Sequence, residues 1–181
     1  MRDLSAARSR PWTASSTVFE SLPPATRYSL RGGSAVRAAV ERAFGAPLPA
    51  SACRAGVRGE RAALWLGPDE WLLLAPEAHA ASLAPALEAA LADLPHSLVD
   101  VSHRQCAFCV AGPQAALVLA AGCPLDLDVA AFPPQMCTRT MLAKAEVVLW
   151  RTASEAFRLE VWRSFAAYVS QFLVEAGRGT I

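Results

Sequence analysis

Asp100, Ser102 and His103 put an acid, a hydroxyl and an imidazole within a few positions of one another, the side-chain types of a hydrolytic triad. Cys106-Ala107-Phe108-Cys109 follows at once, with the spacing of a thiol redox pair or half of a zinc site. Geometry weakens both. A triad is assembled from separate parts of a fold so that the base reaches the nucleophile and is oriented from behind, which neighbouring residues on one strand do not achieve. The competing reading is that these side chains bond the end of a strand and the turn after it. Residues three apart on a strand point to opposite faces, so Cys106 and Cys109 are expected to be structural. His79 and His96 sit near helix ends without ligand spacing, and the glycines form neither a P-loop nor a dinucleotide fingerprint.

A second group of residues suits contact with a partner. Trp65, Trp71, Trp150 and Trp162 fall on predicted strands. In the last of these, Arg158, Glu160 and Trp162 share one face, and Phe157, Leu159 and Val161 share the other. Aromatic anchors flanked by arginine are typical of interfaces, while an ordinary half-buried tryptophan is the alternative. The candidate interface or junction residues are Trp71, Asp100, Ser102, His103, Arg104, Trp150, Arg158, Trp162 and Arg163; none is assigned a catalytic, cofactor-binding or metal-binding role.

The elements that must position these residues follow from periodicity and turn chemistry. Thr26 to Arg31 alternates as a strand, and Ser34 is expected to cap a helix carrying Val36, Ala39, Val40, Ala43 and Phe44, stopped by Gly45 and Pro47. Residues 47 to 59 read as a loop. Ala62 to Leu66 and Glu70 to Ala75 flank Gly67-Pro68-Asp69 as a hairpin. Leu83, Leu87 and Leu91 make one helical stripe, and Pro85 within it predicts a start near Ser82. The apolar run from Leu98 leads through Asp100 and Ser102 into a strand over Gln105 to Ala111. Pro113 then opens a short helix ended by Gly122 in a left-handed turn. Met136 to Ala143, Val147 to Arg151 and Phe157 to Arg163 are three further strands, and Ser164 caps a last helix stopped by Gly177.

Strand, helix, two strands, helix, strand is followed by strand, helix, two or three strands, helix. This predicts an α+β fold of two related ferredoxin-like (split β-α-β) halves, with mostly antiparallel sheets and helices packed on one face. The halves are expected over about 26–102 and 103–177 of one domain, after an N-terminal arm or flexible tail over 1–25.

Composition narrows the function classes. The 181-residue chain carries a net charge of +1, which gives no general attraction to nucleic acid or an anionic membrane. Hydrophobic residues make up 54%, yet the apolar runs are shorter than the roughly 20 residues that cross a bilayer. The surplus suits an interface as well as a core. Lys144 is the single lysine among 17 basic residues, a bias explained by a GC-rich coding sequence or by arginine-rich contacts. Five cysteines without a secretory leader imply free thiols and a cytoplasmic protein.

Three blocks, taken in order, carry a family resemblance: Gly67-Pro68-Asp69-Glu70-Trp71-Leu72-Leu73-Leu74, then Asp100-Val101-Ser102-His103-Arg104, then Leu142-Ala143-Lys144-Ala145 through Val148-Leu149-Trp150-Arg151 to Phe157–Phe165. Over roughly residues 26 to 176 the chain resembles the gamma subunit of heterotetrameric sarcosine oxidase. That family is similar in turn to the aminomethyltransferase, the glycine cleavage T-protein, and its folate-binding relatives. The resemblance implies a complex with alpha, beta and delta subunits that demethylates sarcosine to glycine, with formaldehyde or 5,10-methylenetetrahydrofolate and hydrogen peroxide as products. It also implies FAD, FMN, NAD and zinc in the partner subunits and none in this chain.

The sequence departs from the aminomethyltransferases where their catalytic aspartate follows a Gly-Gly turn. Here that region reads Lys144-Ala145-Glu146-Val147-Val148-Leu149. Valine cannot position an amine, and Glu146 is one residue off and expected to face the other way. The chain is also about half the length of a full aminomethyltransferase. A non-catalytic gamma subunit is therefore the leading expectation. A free-standing folate-dependent one-carbon protein is the alternative, and a thiol-based metal or redox protein the third.

Overall fold

The computed structural model describes residues 17–178 together with the backbone of Trp12–Ala14. In chain order it contains β1 (Trp12–Ala14), β2 (Thr17–Ser21), β3 (Ala25–Gly32), α1 (Ser34–Phe44), β4 (Ala55–Arg58), β5 (Arg61–Gly67), β6 (Glu70–Pro76), α2 (Ala80–Leu91), β7 (His96–Asp100), β8 (Gln105–Ala111), α3 (Ala115–Ala120), β9 (Cys137–Leu142), β10 (Ala145–Ala153), β11 (Ala156–Trp162) and α4 (Ala166–Arg178).

The strands form two antiparallel sheets, one ordered β4-β5-β6-β3-β7 and the other β9-β10-β11-β8-β2-β1. The first four strands of the two orders correspond. In the first sheet β3, β5, β6 and β7 are the four strands of a split β-α-β unit, lying in the spatial order fourth, first, third, second, and β4 is added at one edge. In the second, β8, β10 and β11 repeat the first three and β9 is the added edge. Among the described residues the place beside β8 that corresponds to that of β7 is taken by β2 from the N-terminal side, with Val18 opposite Ala111 and Phe19 opposite Val110.

Side-chain alternation explains the layering. Trp71, Leu73 and Ala75 join Tyr28, Leu30 and Ala63 in a core with Val36, Val40 and Phe44 of α1 and Leu83, Leu87 and Leu91 of α2. The intervening Leu72 and Leu74, with Ala62 and Leu64, pack instead against Val148, Trp150 and Cys137 of the second sheet. The near-continuous apolar run of β6 is thus that of a strand covered on both faces. Val147 and Leu149 point the opposite way, into a core with Val118, Leu119, Val169 and Leu173 of α3 and α4. Two sheets lie back to back, each with its helices outside, and each buried leucine contributes about 1.5–3 kcal/mol.

Several local expectations are corrected. Gly33, in extended conformation, caps α1 through its backbone, and Ser34 is the first helical residue; Gly45 ends the helix at φ 75°, its N–H bonded to Glu41 O at 3.1 Å. A 3₁₀ turn over Glu77–His79 leads into α2 at Ala80, so Pro85 lies inside the helix. The bond it forgoes costs about 3 kcal/mol, offset by the buried leucine stripe. Pro113 precedes α3 by two residues, and Gly122 has no left-handed backbone; it is small because a Cβ there would lie 2.5 Å from Phe172 Cζ and 3.0 Å from Ala143 N. Ser164 lies in a 3₁₀ turn ahead of α4, and Gly177 lies inside that helix. A fourth strand, β4, forms within the expected loop. Of the expected arm, Thr17–Ser21 is a sheet strand and not a tail, while residues 1–11 and 15–16 lie outside the described residues.

Candidate functional site at the junction of the sheets

The surface where the sheets meet is apolar at one end and charged at the other. At the charged end Arg27 of β3 and Glu160 of β11 are both almost fully buried, with Arg27 Nε donating to Glu160 Oε2 at 2.5 Å. Arg158 holds the other carboxylate oxygen, Nη2 to Oε1 2.7 Å, and Arg27 Nη1 also donates to Ala25 O. Closer to solvent, Glu70 of β6 is gripped by Arg31 and by Arg139 of β9, each at 2.7 Å. Arg27–Glu160 and Arg139–Glu70 stitch one sheet to the other. Two arginines per carboxylate compensate the loss of hydration that an isolated buried carboxylate would suffer.

Between these pairs is a cleft of about 220 Å³, lined by Ser29, Arg31, Glu70, Arg104, Gln105, Arg139, Glu146, Glu160 and Trp162, with Leu66, Leu72, Val147 and Val148 at its apolar side. Glu146 shares the face of β10 that carries Val148 and Trp150 towards the other sheet, 3.9 Å from Arg139 Nε, while Val147 points to the outer helices, so Glu146 faces the opposite way from Val147, as expected. Alternation from a start at Ala145 puts 146, 148 and 150 together. Gln105 is buried at the cleft and its Oε1 has no hydrogen-bond partner among the described residues.

The structure brings most of the candidate interface residues to this place. Asp100 accepts from the Ser102 N–H at 2.8 Å, and Ser102 Oγ accepts from the Arg27 N–H at 2.8 Å, which fixes the crossing from one sheet to the other. Arg104 O accepts from the Arg163 N–H at 2.8 Å, and the Arg104 guanidinium lies 5.2 Å from the Trp162 ring centre. Trp162 is 42% exposed, and His103, Arg104 and Arg163 are exposed beside it. The trio Asp100, Ser102 and His103 serves the strand end: its acid and hydroxyl both bond main chain. Trp150 is buried between the sheets. Trp71 is placed elsewhere, in the core under α1 and α2, with Nε1 donating to Pro49 O at 2.8 Å.

Burial favours the protonated form of three thiols, Cys106, Cys109 and Cys137. Cys106 packs towards the helices with Phe108 and Val110, and Cys109 lies on the opposite face between Glu20 and Arg158. Burial raises the pKa of both, and the Glu20 carboxylate adds to the rise at Cys109. Burial pushes the Cys137 thiol up to about 12. Burial, and after it the Asp100 carboxylate, raises the Tyr28 phenol.

Sequence reasoning missed Arg27, Glu70, Arg139, Glu160 and Gln105 as members of the site. Alternation gave no signal for Arg27 or Glu160, which stand on the polar faces of their strands, where charges are ordinary until the two sheets are packed together. It missed Arg151 too, which is buried and donates to Leu127 O, Phe132 O and Ser154 O while stacking 4.7 Å from the Phe157 ring centre, so holding the long 121–136 connection.

Residues 31–178 match the model of the sarcosine oxidase, gamma subunit family. The chain belongs to that family. The gamma subunit of sarcosine oxidase from Corynebacterium sp. (strain P-1) is 36% identical over 176 residues, which span 96% of this chain and 86% of that one. The solved heterotetrameric sarcosine oxidase from Corynebacterium sp. U-96, in complex with pyrrole 2-carboxylate, contains a chain with TM-score 0.87 and 31% identity, covering 97% of this gamma-family chain and 91% of that chain. The glycine cleavage system aminomethyltransferase T from Bartonella henselae shares the fold at TM-score 0.65 and 15% identity, over 90% of this chain and 46% of that one. The gamma-family fold is therefore also that of part of an aminomethyltransferase.

Proposed function

We propose that this chain is the non-catalytic gamma subunit of a heterotetrameric, cytoplasmic sarcosine oxidase. It assembles with alpha, beta and delta subunits that carry FAD, FMN, NAD and zinc and demethylate sarcosine to glycine. The products are formaldehyde or 5,10-methylenetetrahydrofolate, and hydrogen peroxide. The observation that carries this reading is the family match over residues 31–178, extended by the likeness to a chain of a solved tetramer along nearly the whole length.

Two features of the site support a structural role. The buried carboxylates at the junction, Glu70 and Glu160, are each committed to two arginines, an arrangement suited to fixing the sheets. Val147, at the position examined for the aminomethyltransferase aspartate, is buried against the outer helices. The test is co-expression of the tagged chain with the other three subunits. A yellow tetramer that oxidises sarcosine and falls apart or loses yield without this chain supports the proposal; a tagged chain that never captures flavin-bearing partners removes it. Saturable binding of tetrahydrofolate by the isolated chain would replace it with the folate-protein reading.

A further inference from the structure

The cleft between the sheets has three properties that its structural role does not use. The first is an acceptor without a donor. Gln105 is 7% exposed, and the Oε1 atom of its side chain is buried without a partner among the described residues. An unmet acceptor of this kind costs about 1–3 kcal/mol unless something supplies an N–H or O–H. The second is charge. The lining balances three arginines with three glutamates, but Arg104 is left with the Trp162 ring as its contact and no carboxylate in ion-pair range among the described residues. The third is an apolar lip: Trp162 is 42% exposed, and Val99, which is 51% exposed, is paired with Ser29, a residue of the cleft wall.

We infer that the cleft is a docking site for an extended acidic segment of a partner subunit, with an apolar side chain against Trp162 and Val99, a carboxylate on Arg104, and an N–H given to Gln105 Oε1. This rests on the gamma-subunit reading above and specifies the surface it uses. The size of the cleft favours a peptide segment. About 220 Å³ takes one or two side chains and is smaller than the roughly 300–1,000 Å³ of sites that enclose a whole cofactor-sized ligand. The unpaired Arg104 favours an acidic segment over a basic one, and tryptophan and arginine are among the residue types enriched where interface affinity concentrates.

The experiment is capture of the alpha, beta and delta subunits by the full-length tagged chain at two salt concentrations, with the thermal unfolding of each free variant measured in parallel. Trp162→Ala and Arg104→Glu are each expected to lower affinity about tenfold or more, and the wild-type interaction is expected to weaken as salt rises. Gln105→Leu gives the sharpest signature. It removes the unmet acceptor, so the free chain should be as stable as wild type or more so, while capture weakens several-fold. Arg104→Gln stands in if Arg104→Glu does not fold. Wild-type capture with all variants equal to it overturns the docking site and leaves the gamma-subunit reading intact; no capture by wild type overturns the latter. A concentration-dependent dimer of the chain alone that Trp162→Ala abolishes would assign the cleft to a second copy and overturn the proposal. So would a small molecule that copurifies with wild type and is lost in Gln105→Leu.

Discussion

Replacing Glu160 by leucine should be far more damaging than replacing its partner Arg27 by methionine, although the two share one ion pair. Arg27 is 1% exposed, and without Glu160 its guanidinium keeps only the Ala25 carbonyl among the side-chain contacts described above. A buried cation stripped of its carboxylate costs about 3–5 kcal/mol, a large part of the 5–15 kcal/mol that stabilises a typical domain. In Arg27→Met the remaining Glu160 still holds Arg158, whose side chain is 21% exposed, so the expected cost is about 1–3 kcal/mol. The double variant Arg27→Met/Glu160→Leu removes both charges and leaves Arg158 able to turn to solvent. It should be more stable than Glu160→Leu alone, with a coupling of about 2 kcal/mol or more. Urea titrations followed by tryptophan fluorescence and far-ultraviolet circular dichroism give all three values. A Glu160→Leu cost below about 1 kcal/mol, or costs that simply add in the double variant, would refute the view that this pair is desolvated and interdependent.

Other consequences can be measured on the same chain. Gly56→Ala in β4 would put a Cβ 2.1 Å from Pro47 O, a main-chain atom that cannot move alone, and should cost at least the 1–3 kcal/mol of ordinary overpacking, read as a drop in urea midpoint. Arg151→Met removes donors from three carbonyls and should destabilise by about 2–4 kcal/mol, with hydrogen exchange rising first across residues 121–136. Because the Cys137 pKa is raised from 9.0 to about 12, its contribution is complete below pH 9 and declines above it, where the unfolded chain gives up the thiol proton first. Stability should fall by up to about 1.4 kcal/mol per pH unit from this group, and Cys137→Ala should flatten that part of the profile. At pH 8 iodoacetamide should leave Cys137 unmodified in the native chain, as judged by peptide mass.

Elements defined by local chemistry were legible from the sequence. The β5–β6 hairpin announces itself through Gly67-Pro68-Asp69 between apolar runs, and α2 through its leucine stripe, because turn angles and helical period depend on neighbours in the chain. What depends on remote contacts was not legible. Thr17–Ser21 is a short, unremarkable segment whose strand state comes from pairing with β8. Trp71 and Trp150 look alike in sequence; one faces the helices and the other the second sheet because of strand register, and register is set by the whole core. Glu160 reads as a surface charge until β3 is known to bring Arg27 across from the other sheet. Gln105 reads as part of an alternating strand, and only the packed structure reveals an acceptor buried without a donor among the described residues. The separation of Cys106 and Cys109 was legible, because alternation along one strand suffices to predict it.

The place of β2 beside β8 sets the order in which this protein can be completed during synthesis. By the time Asp100 has left the ribosome, every strand of the β4-β5-β6-β3-β7 sheet is present and able to close. β2, made earlier than any of them, must still wait for Gln105–Ala111. At roughly 5–20 residues per second that wait is on the order of 5–20 s, during which β2 has an open backbone edge and a buried-type Phe19 with nothing to cover it. The first residues of the domain are thus among the last to be locked in place, and this interval is when the nascent chain most needs a chaperone or its partner subunits.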